Sequence, residues 1–155
     1  MAFRLSRFRR FAAEPTGVTN RLLLTLGSPA ESICFKKPVD SVTVPGYEGV
    51  FTLTNNHSLT VSMLKPGVIT VREGSNTEEY FVSDGFVFFN QAKDDSGCCT
   101  AEISAVEAVP TSALDKDRAT QVLSELLSGP KDTEWDKAKI QLGSALCNAV
   151  IRAAQ

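Results

Sequence analysis

Few residues in this chain could perform chemistry. Its single histidine, His57, lies in a polar segment beside Asn55, Asn56 and Ser58. Any Ser-His-Asp, Cys-His or metal-histidine arrangement would have to use this one side chain, which makes it the only candidate catalytic base when it is taken alone. The chain has neither a G-x-x-x-x-G-K-[ST] phosphate loop nor a G-x-G-x-x-G motif. We therefore expect that nucleotide chemistry is not housed here.

The four cysteines give no sign of a metal centre. Cys34, Cys98, Cys99 and Cys147 form no C-x-x-C pair, and with one histidine the chain lacks the ligand spacing of a zinc site. They are typical of reduced, buried thiols. Since neighbouring residues of a strand alternate in direction, Cys98 and Cys99 are expected on opposite strand faces. We predict no bound metal and no cofactor.

Length and composition favour a globular domain with a smaller second unit. The chain has 155 residues, of which 43% are hydrophobic and 22% charged. This length suits a domain of about 90 to 100 residues and a smaller addition. Four of the 16 basic residues lie in the first 13 positions. The rest of the chain has 12 basic and 18 acidic residues, which gives it a net charge of −6. Such a balance argues against nucleic-acid binding, and no apolar run approaches the roughly 20 residues of a membrane span.

The first segment, residues 1–19, has a composition of its own. It begins MAFRLSRFRRFAA and contains no acidic residue before Glu14. Arginine-rich, acid-poor beginnings are typical of mitochondrial targeting segments. The alternative is a basic arm that lies on a neighbouring subunit or on lipid, because Phe3, Phe8 and Phe11 could share one side of a helix.

Short β-branched and apolar runs separated by turn residues predict an antiparallel β-sandwich in residues 20–109. Turn signals such as Pro45-Gly46 and Lys65-Pro66-Gly67 divide the runs. The clustered aromatic residues of 80–89 are expected in the core and at an interface. Nine strands are predicted, at 21–26, 32–35, 39–44, 50–53, 59–64, 68–72, 78–82, 85–90 and 98–106.

The hydrophobic period changes to that of helices in residues 110–155. Pro110 is expected to stop the last strand, and Thr111 or Ser112 to cap a helix over 112–127 that ends at Gly129. A second helix is expected over 133–154, antiparallel to the first, with Ala145 and Ala149 allowing close approach. It carries a second apolar stripe that includes Ile151, so we expect cover on two sides. The fold class predicted is α+β, with an N-terminal antiparallel β-sandwich followed by a C-terminal α-helical hairpin.

The order and spacing of several short motifs resemble one protein family. The chain reads V-x-V-P-G-x-x-G from Val42, places His57 eight residues after the last of these glycines, and continues with L-K-P-G-V from Leu64 and Y-F-V-S-D-G-F from Tyr80. This order is similar to that of a central-stalk subunit of F-type ATP synthases, called epsilon in bacteria and delta in mitochondria. The resemblance covers residues 20–155. The family usually has Gly-Ile-Leu-Pro-Gly before the histidine, whereas this chain has Thr-Leu-Thr-Asn-Asn.

The resemblance implies a rotor subunit that performs no catalysis itself. It would couple the ring of c subunits to the gamma subunit in proton-driven ATP synthesis, and would also hold a very small partner called epsilon. Its location would be the matrix side of the mitochondrial inner membrane, peripheral to the membrane through the ring. An unrelated jelly-roll sandwich that binds a small molecule or acts as an enzyme is an alternative, and it would need a concave polar pocket.

The resemblance also implies where the ring would be contacted. It places two loops at one end of the sandwich, next to the polar loops of the ring. Their amides, hydroxyl and imidazole can exchange hydrogen bonds, and the tyrosine adds a rigid anchor. The predicted contact residues are Tyr47, Glu48, Val50, Asn55, Asn56, His57 and Ser58.

One further motif resembles a regulatory nucleotide site. Residues 114–119 read L-D-K-D-R-A, similar to the L-D-x-x-R-A signature with which some bacterial members bind ATP. It makes Asp115 and Arg118 candidate ligands and leaves a nucleotide-sensing module as the alternative function. The second helix offers only Lys137, Lys139 and Arg152 as cations. We therefore favour an acidic helix start with a local Asp115 and Arg118 pair.

Overall fold

The computed structural model describes residues 19–93 and 95–154. The predicted targeting segment or basic arm therefore lies outside the described residues, apart from Thr19. Ten strands are followed by two helices, which confirms the predicted fold class. The strands are β1 Leu22–Gly27, β2 Ser32–Val39, β3 Ser41–Gly46, β4 Gly49–Thr54, β5 Thr60–Leu64, β6 Gly67–Glu73, β7 Asn76–Val82, β8 Gly85–Asn90, β9 Thr100–Ala105 and β10 Ala108–Pro110. A 3-10 turn at Thr111–Ala113 leads to α1 Lys116–Ser128 and α2 Glu134–Ala153.

The strands form one long sheet that folds over on itself. Its order is β10-β7-β6-β3-β5-β8-β9-β1-β2, and β4 pairs with the other side of β3. The two halves meet at a corner where Gly46 of β3 pairs with Leu64 of β5. A Cβ at Gly46 would lie 2.6 Å from the Phe51 ring, so a side chain does not fit at this corner. In the part of the chain that the structure describes, all strand pairs are antiparallel except β1 with β9, which run parallel.

The core lies between the two halves of the sheet and follows strand alternation. On β1, Leu22, Leu24 and Leu26 are fully buried, and Val87 and Phe89 of β8 face the same core. Each fully buried side chain of this size contributes roughly 1.5 to 3 kcal/mol relative to exposure. The inward period of two is therefore what fixes the register of each strand.

The nine-strand prediction missed a strand and misplaced the start of another. The tenth strand, Ala108–Pro110, pairs antiparallel with β7. Pro110 ends this edge strand, where a missing N–H costs no ladder bond, and does not simply stop β9. β9 begins at Thr100, so Cys98 and Cys99 precede it. Both are buried, and the prediction that they alternate across a strand is wrong.

The helix starts are set by different residues in the two helices. The predicted caps Thr111 and Ser112 lie in the 3-10 turn, and Asp115 caps α1 instead by accepting a hydrogen bond from the Arg118 N–H. Asp115 directly precedes α1, so its side chain reaches the free N–H groups of the first helical turn. Thr111 and Ser112 lie too far before the helix to do so. The predicted start of α2 near Thr133 is confirmed, and Thr133 caps the helix, with a capping box in which Asp136 accepts from the Thr133 N–H.

Candidate functional site

The two predicted contact loops lie at opposite ends of strand β4. In the antiparallel pairing of β3 and β4, Gly46 pairs with Gly49 and Ser41 with Thr54. The Tyr47-Glu48 turn therefore adjoins one end of β4, and residues 55–58 follow the other. Six residues of extended chain separate them by roughly 17 to 20 Å. The expectation that both loops lie at one end of the sandwich is wrong, since loops that flank a single strand cannot meet.

The turn end presents exposed side chains on an anchored backbone. We use this name for Tyr47, Glu48 and Val50. Tyr47 is 66% and Val50 68% exposed, and Glu48 is exposed. The Tyr47 N–H donates to the Met63 carbonyl at 2.9 Å, which ties the turn to β5. A rigid, exposed tyrosine beside a carboxylate has the chemistry of a protein contact.

Asn55, by contrast, is used within the molecule. Its Nδ2 donates to Asn20 Oδ1 at 2.8 Å and to the Gly97 carbonyl at 2.9 Å. Its Oδ1 accepts from the Cys99 N–H at 2.9 Å. The side chain thereby joins the chain before β1, the segment before β9 and the loop after β4. Asn55 holds loops together and has little hydrogen-bonding capacity left for a partner.

His57 is also held by local contacts. Its Nδ1 lies 2.9 Å from the Ser58 carbonyl, so this nitrogen is the donor, and 3.4 Å from Thr60 Oγ1. The ring stands edge-on to Phe89 at 5.4 Å. These partners are a carbonyl, a hydroxyl and a phenyl ring, which do not form a catalytic triad. Beside it, Asn56 is exposed and has a left-handed backbone with φ 69°.

Strands β5 and β8 carry an exposed apolar surface that was not predicted as a site from the sequence. Cross-strand pairs join Val61 to Phe88 and Met63 to Phe86, and the two phenyl rings stack at 6.3 Å. We call this surface the β5–β8 face. Its residues, with the exposed fraction of each, are Leu59 (70%), Val61 (65%), Met63 (50%), Phe86 (46%) and Phe88 (39%).

The β5–β8 face has the character of a docking surface. Thr60 and Ser62 alternate with its apolar residues, and both are only partly exposed. The usual arrangement, apolar residues inward and polar residues outward, is therefore reversed along β5. Large contiguous apolar patches on soluble domains mark interfaces. The predicted aromatic cluster of residues 80–89 divides accordingly, with Phe81 and Phe89 buried and Phe86 and Phe88 outside.

The candidate nucleotide ligands on α1 are committed to the helix start. Asp115 Oδ1 accepts from the Arg118 N–H at 2.8 Å, and Arg118 Nη1 donates to Gln121 Oε1 at 3.0 Å. The predicted local pair of Asp115 and Arg118 is present, but the hydrogen bond to Asp115 comes from the Arg118 backbone and not from its guanidinium. The arrangement satisfies a free helix N–H and draws the Arg118 side chain along the helix.

The hairpin helices approach through a different small residue from those predicted. A Cβ on Gly143 would lie 2.7 Å from Leu126 Cδ1, so Gly143 lies against α1. Cys147 is buried one turn further along. Ala145 is exposed, and assigning it to the contact was wrong, whereas Ala149 is buried. Gly143 and Cys147 lie on the same side of α2 as Ile151. The second predicted stripe is therefore the one that faces α1.

The opposite side of α2 is open to solvent. Trp135 is 77%, Leu142 73% and Leu146 36% exposed. We call these three residues the α2 stripe. Toward its end the helix approaches the sheet, where Leu146 and Val150 line a groove with Phe81 and Val109. The expected second covering of α2 is therefore incomplete within the described part of the chain.

The cluster of titratable groups around Lys37 is structural. Lys37 Nζ lies 2.8 Å from Glu78 Oε1 and 3.3 Å from Glu73 Oε2, and the Tyr80 hydroxyl donates to Glu78 Oε2. The Glu78 hydrogen bond raises the pKa of Lys37, and the same bond lowers the pKa of Glu78. Burial raises the pKa of the Cys34 thiol, so it is a weak nucleophile. The group ties β2 to β6 and β7 across the open side of the sandwich.

Two absences apply to residues 19–93 and 95–154. No group of three or more His, Cys, Asp or Glu side chains there is arranged to hold a metal ion. In the same residues, no helix combines the length and the apolarity that crossing a membrane requires.

Comparison with known proteins points to one family. The family model for the ATP synthase delta/epsilon chain, beta-sandwich domain, matches residues 24–93. The mitochondrial ATP synthase subunit delta' of Pisum sativum is 36% identical over 131 residues, covering 83% of this chain and 64% of that relative. The chain thus spans about two thirds of the pea protein. The mitochondrial ATP synthase F(1) complex subunit delta of Dictyostelium discoideum is 34% identical over 86% of this chain and 76% of its own length.

Solved structures agree on the fold. A chain in the cryo-EM structure of the Euglena gracilis mitochondrial ATP synthase superimposes with a TM-score of 0.77 and 23% identity, over 95% of this chain and 89% of that one. A chain of the Tetrahymena thermophila mitochondrial ATP synthase central stalk and c-ring gives 0.67 and 16% identity, over 88% and 98%. At these identities the likeness concerns the fold.

Proposed function

The chain belongs to the ATP synthase delta/epsilon family, and on this basis we propose that it is the delta-type subunit of the central stalk of mitochondrial ATP synthase. The observation that carries the proposal is its 34% identity with the Dictyostelium discoideum mitochondrial F(1) complex subunit delta, over most of both chains. The relatives named mitochondrial include those from pea and Saccharomyces cerevisiae. The subunit would reside on the matrix side of the inner membrane.

In this role the subunit performs no catalysis and connects the c-ring to gamma during proton-driven ATP synthesis. An adaptor that transmits torque must resist deformation, because a soft one would dissipate torque as strain. The fold suits this demand, since its two sheet halves enclose an apolar core rich in leucine, valine and phenylalanine side chains. Interiors packed in this way have low compressibility.

We assign the β5–β8 face to the gamma subunit. It combines stacked Phe86 and Phe88 with Val61 and Met63 on regular strands, so its shape is preorganised. Aromatic residues and methionine are enriched at the buried centres of protein interfaces. Burying this face would remove exposed apolar area that the isolated chain leaves in water.

We assign the turn end to the c-ring. Tyr47 and Val50 are each about two thirds exposed, and Glu48 adds a carboxylate for polar loops. Residues Asn55, Asn56, His57 and Ser58 belong to the opposite end, and two of their side chains are engaged internally. The predicted contact set is thus reduced to its first three members.

The α2 stripe is our assignment for the small epsilon subunit. Trp135 and Leu142 are about three quarters exposed, and Leu146 continues their row over the sheet. A short partner with an apolar helix face could cover this row, and exposed tryptophan is a frequent anchor of such contacts. This would also complete the second covering expected for α2.

A nucleotide-sensing hairpin is the second candidate, and it has weaker support. Of its two candidate ligands, the Asp115 carboxylate already accepts from the Arg118 backbone, and the Arg118 guanidinium already donates to Gln121. ATP would have to displace an N-terminal cap that contributes about 1 kcal/mol. Titration of the isolated chain with ATP, followed by calorimetry, distinguishes the two. Binding at micromolar ATP would favour the sensor.

The proposal is tested by affinity purification of the tagged full-length chain from detergent-solubilised mitochondria. We expect the whole ATP synthase to co-purify. Met63→Asp on the β5–β8 face should reduce the recovered gamma subunit several-fold, because an aspartate there would be buried without a partner. Leu127→Asp on α1 is the matched control, since Leu127 and Met63 are 49% and 50% exposed. Recovery of the chain without ATP synthase subunits would refute the function, and equal effects of both variants would refute the assignment of the face.

A further inference from the structure

Within residues 19–93 and 95–154 the folded sheet has three free edges, β2, β10 and β4, and two of them are protected. Strand β2 carries Lys36, Lys37 and Pro38, and Lys36 has a left-handed φ of 47°. Its pairing with β1 also contains register shifts. Strand β10 has three residues and ends on Pro110. Lysine, proline, irregular pairing and shortness are the usual means by which proteins prevent unwanted strand addition.

Strand β4 has none of these protections. Its sequence, GVFTLT, contains no charged residue and no proline. Over residues 19–93 and 95–154, β4 pairs with β3 and with no other strand. Val50, Thr52 and Thr54 are exposed, and Phe51 and Leu53 turn inward. The outer side of β4 is therefore a regular, uncharged edge.

The hydrogen bonds of β3 show which backbone groups it turns toward β4. The Pro45 carbonyl accepts from the Lys65 N–H at 2.9 Å, and the Tyr47 N–H donates to the Met63 carbonyl at 2.9 Å. These partners belong to β5 and the residue after it, on the other side of β3, so Pro45 and Tyr47 direct their groups away from β4. Since direction alternates along a strand, the even-numbered residues of β3 face β4.

The alternation fixes which groups of β4 are left over. The even-numbered residues of β3 pair with Gly49, Phe51 and Leu53. Val50 and Thr52 consequently direct their N–H and C=O groups to the outer edge. At the following outward residue the carbonyl is already used, because the Thr54 carbonyl accepts from the His57 N–H. Val50 and Thr52 keep both their N–H and C=O groups, which gives a partner four backbone groups.

We propose that the edge of β4 binds an extended segment of a neighbouring subunit, which adds one strand to the sheet by hydrogen bonding to Val50 and Thr52. An extended backbone is the structure that matches such alternating groups. In the bound segment, the side chain beside the exposed Val50 is apolar, and a Lys or Arg lies beside the carboxylate of Glu48 in the turn just before β4. The identity of the neighbours rests on the proposed function, whereas the edge itself does not.

A pair of variants at Thr52 separates the backbone from the side chain. Thr52→Pro removes the outward N–H, and since this group does not bond to β3 the ladder to β3 stays intact. Thr52→Val keeps the N–H. Both lose the 2.8 Å contact of Thr52 Oγ1 with Thr43 Oγ1, so the comparison cancels that effect. We expect Thr52→Val to enter the ATP synthase like the wild-type chain and Thr52→Pro to be recovered in it several-fold less.

Hydrogen exchange on the wild-type protein gives an independent measurement if Thr52→Pro fails to fold. The Val50 and Thr52 amides should exchange rapidly in the free chain and at least about tenfold more slowly in the assembled complex. Equal exchange in both states, with the chain incorporated, would overturn the strand addition and leave the function standing. Failure to incorporate the wild-type chain would count against the function. Protection in a free-chain dimer, detected by sedimentation, would show a second copy at the edge and overturn the proposed occupant.

Discussion

Asn55 is the residue whose role changes most between sequence and structure. A polar Asn-Asn-His-Ser loop is a reasonable candidate for a polar contact, but Asn55 uses its amide on Asn20, Gly97 and Cys99. Those partners lie 35 to 44 positions away along the chain. No local pattern indicates such bonds. The polar character of the loop could therefore be predicted from the sequence, but not that its side chains bind within the molecule.

Replacing Asn55 should therefore affect stability and not subunit binding. Asn55→Ala removes three hydrogen bonds, two of them partly buried, and we expect a loss of about 2 kcal/mol in the free energy of unfolding. Urea unfolding followed by far-ultraviolet circular dichroism measures it. Ser58→Ala, in the same loop on an exposed residue, should stay within about 0.5 kcal/mol of wild type. If the two variants are equally stable, the clamp assigned to Asn55 is wrong.

At the scale of elements, the positions of the strands and helices could be predicted from the sequence more completely than their packing. Turn chemistry and period predicted nine of the ten strands and both helices, including the start of α2 at residue 133. The three-residue β10 was missed because its pairing with β7 is a tertiary feature. Likewise, two apolar stripes on α2 could be recognised, but which stripe faces α1 depends on the hairpin turn.

Gly143 tests the hairpin packing. Gly143→Leu would place a large side chain against Leu126, and we expect a net loss of roughly 1 to 2 kcal/mol despite the better helix propensity of leucine. Ala145→Leu makes a similar addition on the exposed side of the same helix and should change the unfolding free energy by less than about 0.5 kcal/mol. Thermal unfolding monitored by helical circular dichroism compares them. A Gly143→Leu variant as stable as Ala145→Leu would show that α1 packs elsewhere.

At the scale of the whole molecule, the fold class followed from the change of hydrophobic period near residue 110. The sequence could not show whether each row of apolar residues packs in the core or contacts a partner. A strand with alternating apolar residues looks the same whether it faces a core or a partner, as the exposed β5–β8 face demonstrates. The division into a 20–109 sandwich and a 110–155 hairpin stays a prediction, because β10 and the groove under α2 continue the sheet toward the helices.

The opposite ends of β4 provide the most direct test of the stalk assignment. Tyr47→Cys marks the turn end and Ser58→Cys the opposite end, and three of the four native cysteines are buried, so background reaction is low. Mild oxidation of the assembled ATP synthase, with cysteines introduced into the c-ring loops, reports which end meets the ring. We predict a disulfide from Tyr47→Cys to the ring and none from Ser58→Cys. A ring disulfide from Ser58→Cys, or from neither variant, would contradict the account.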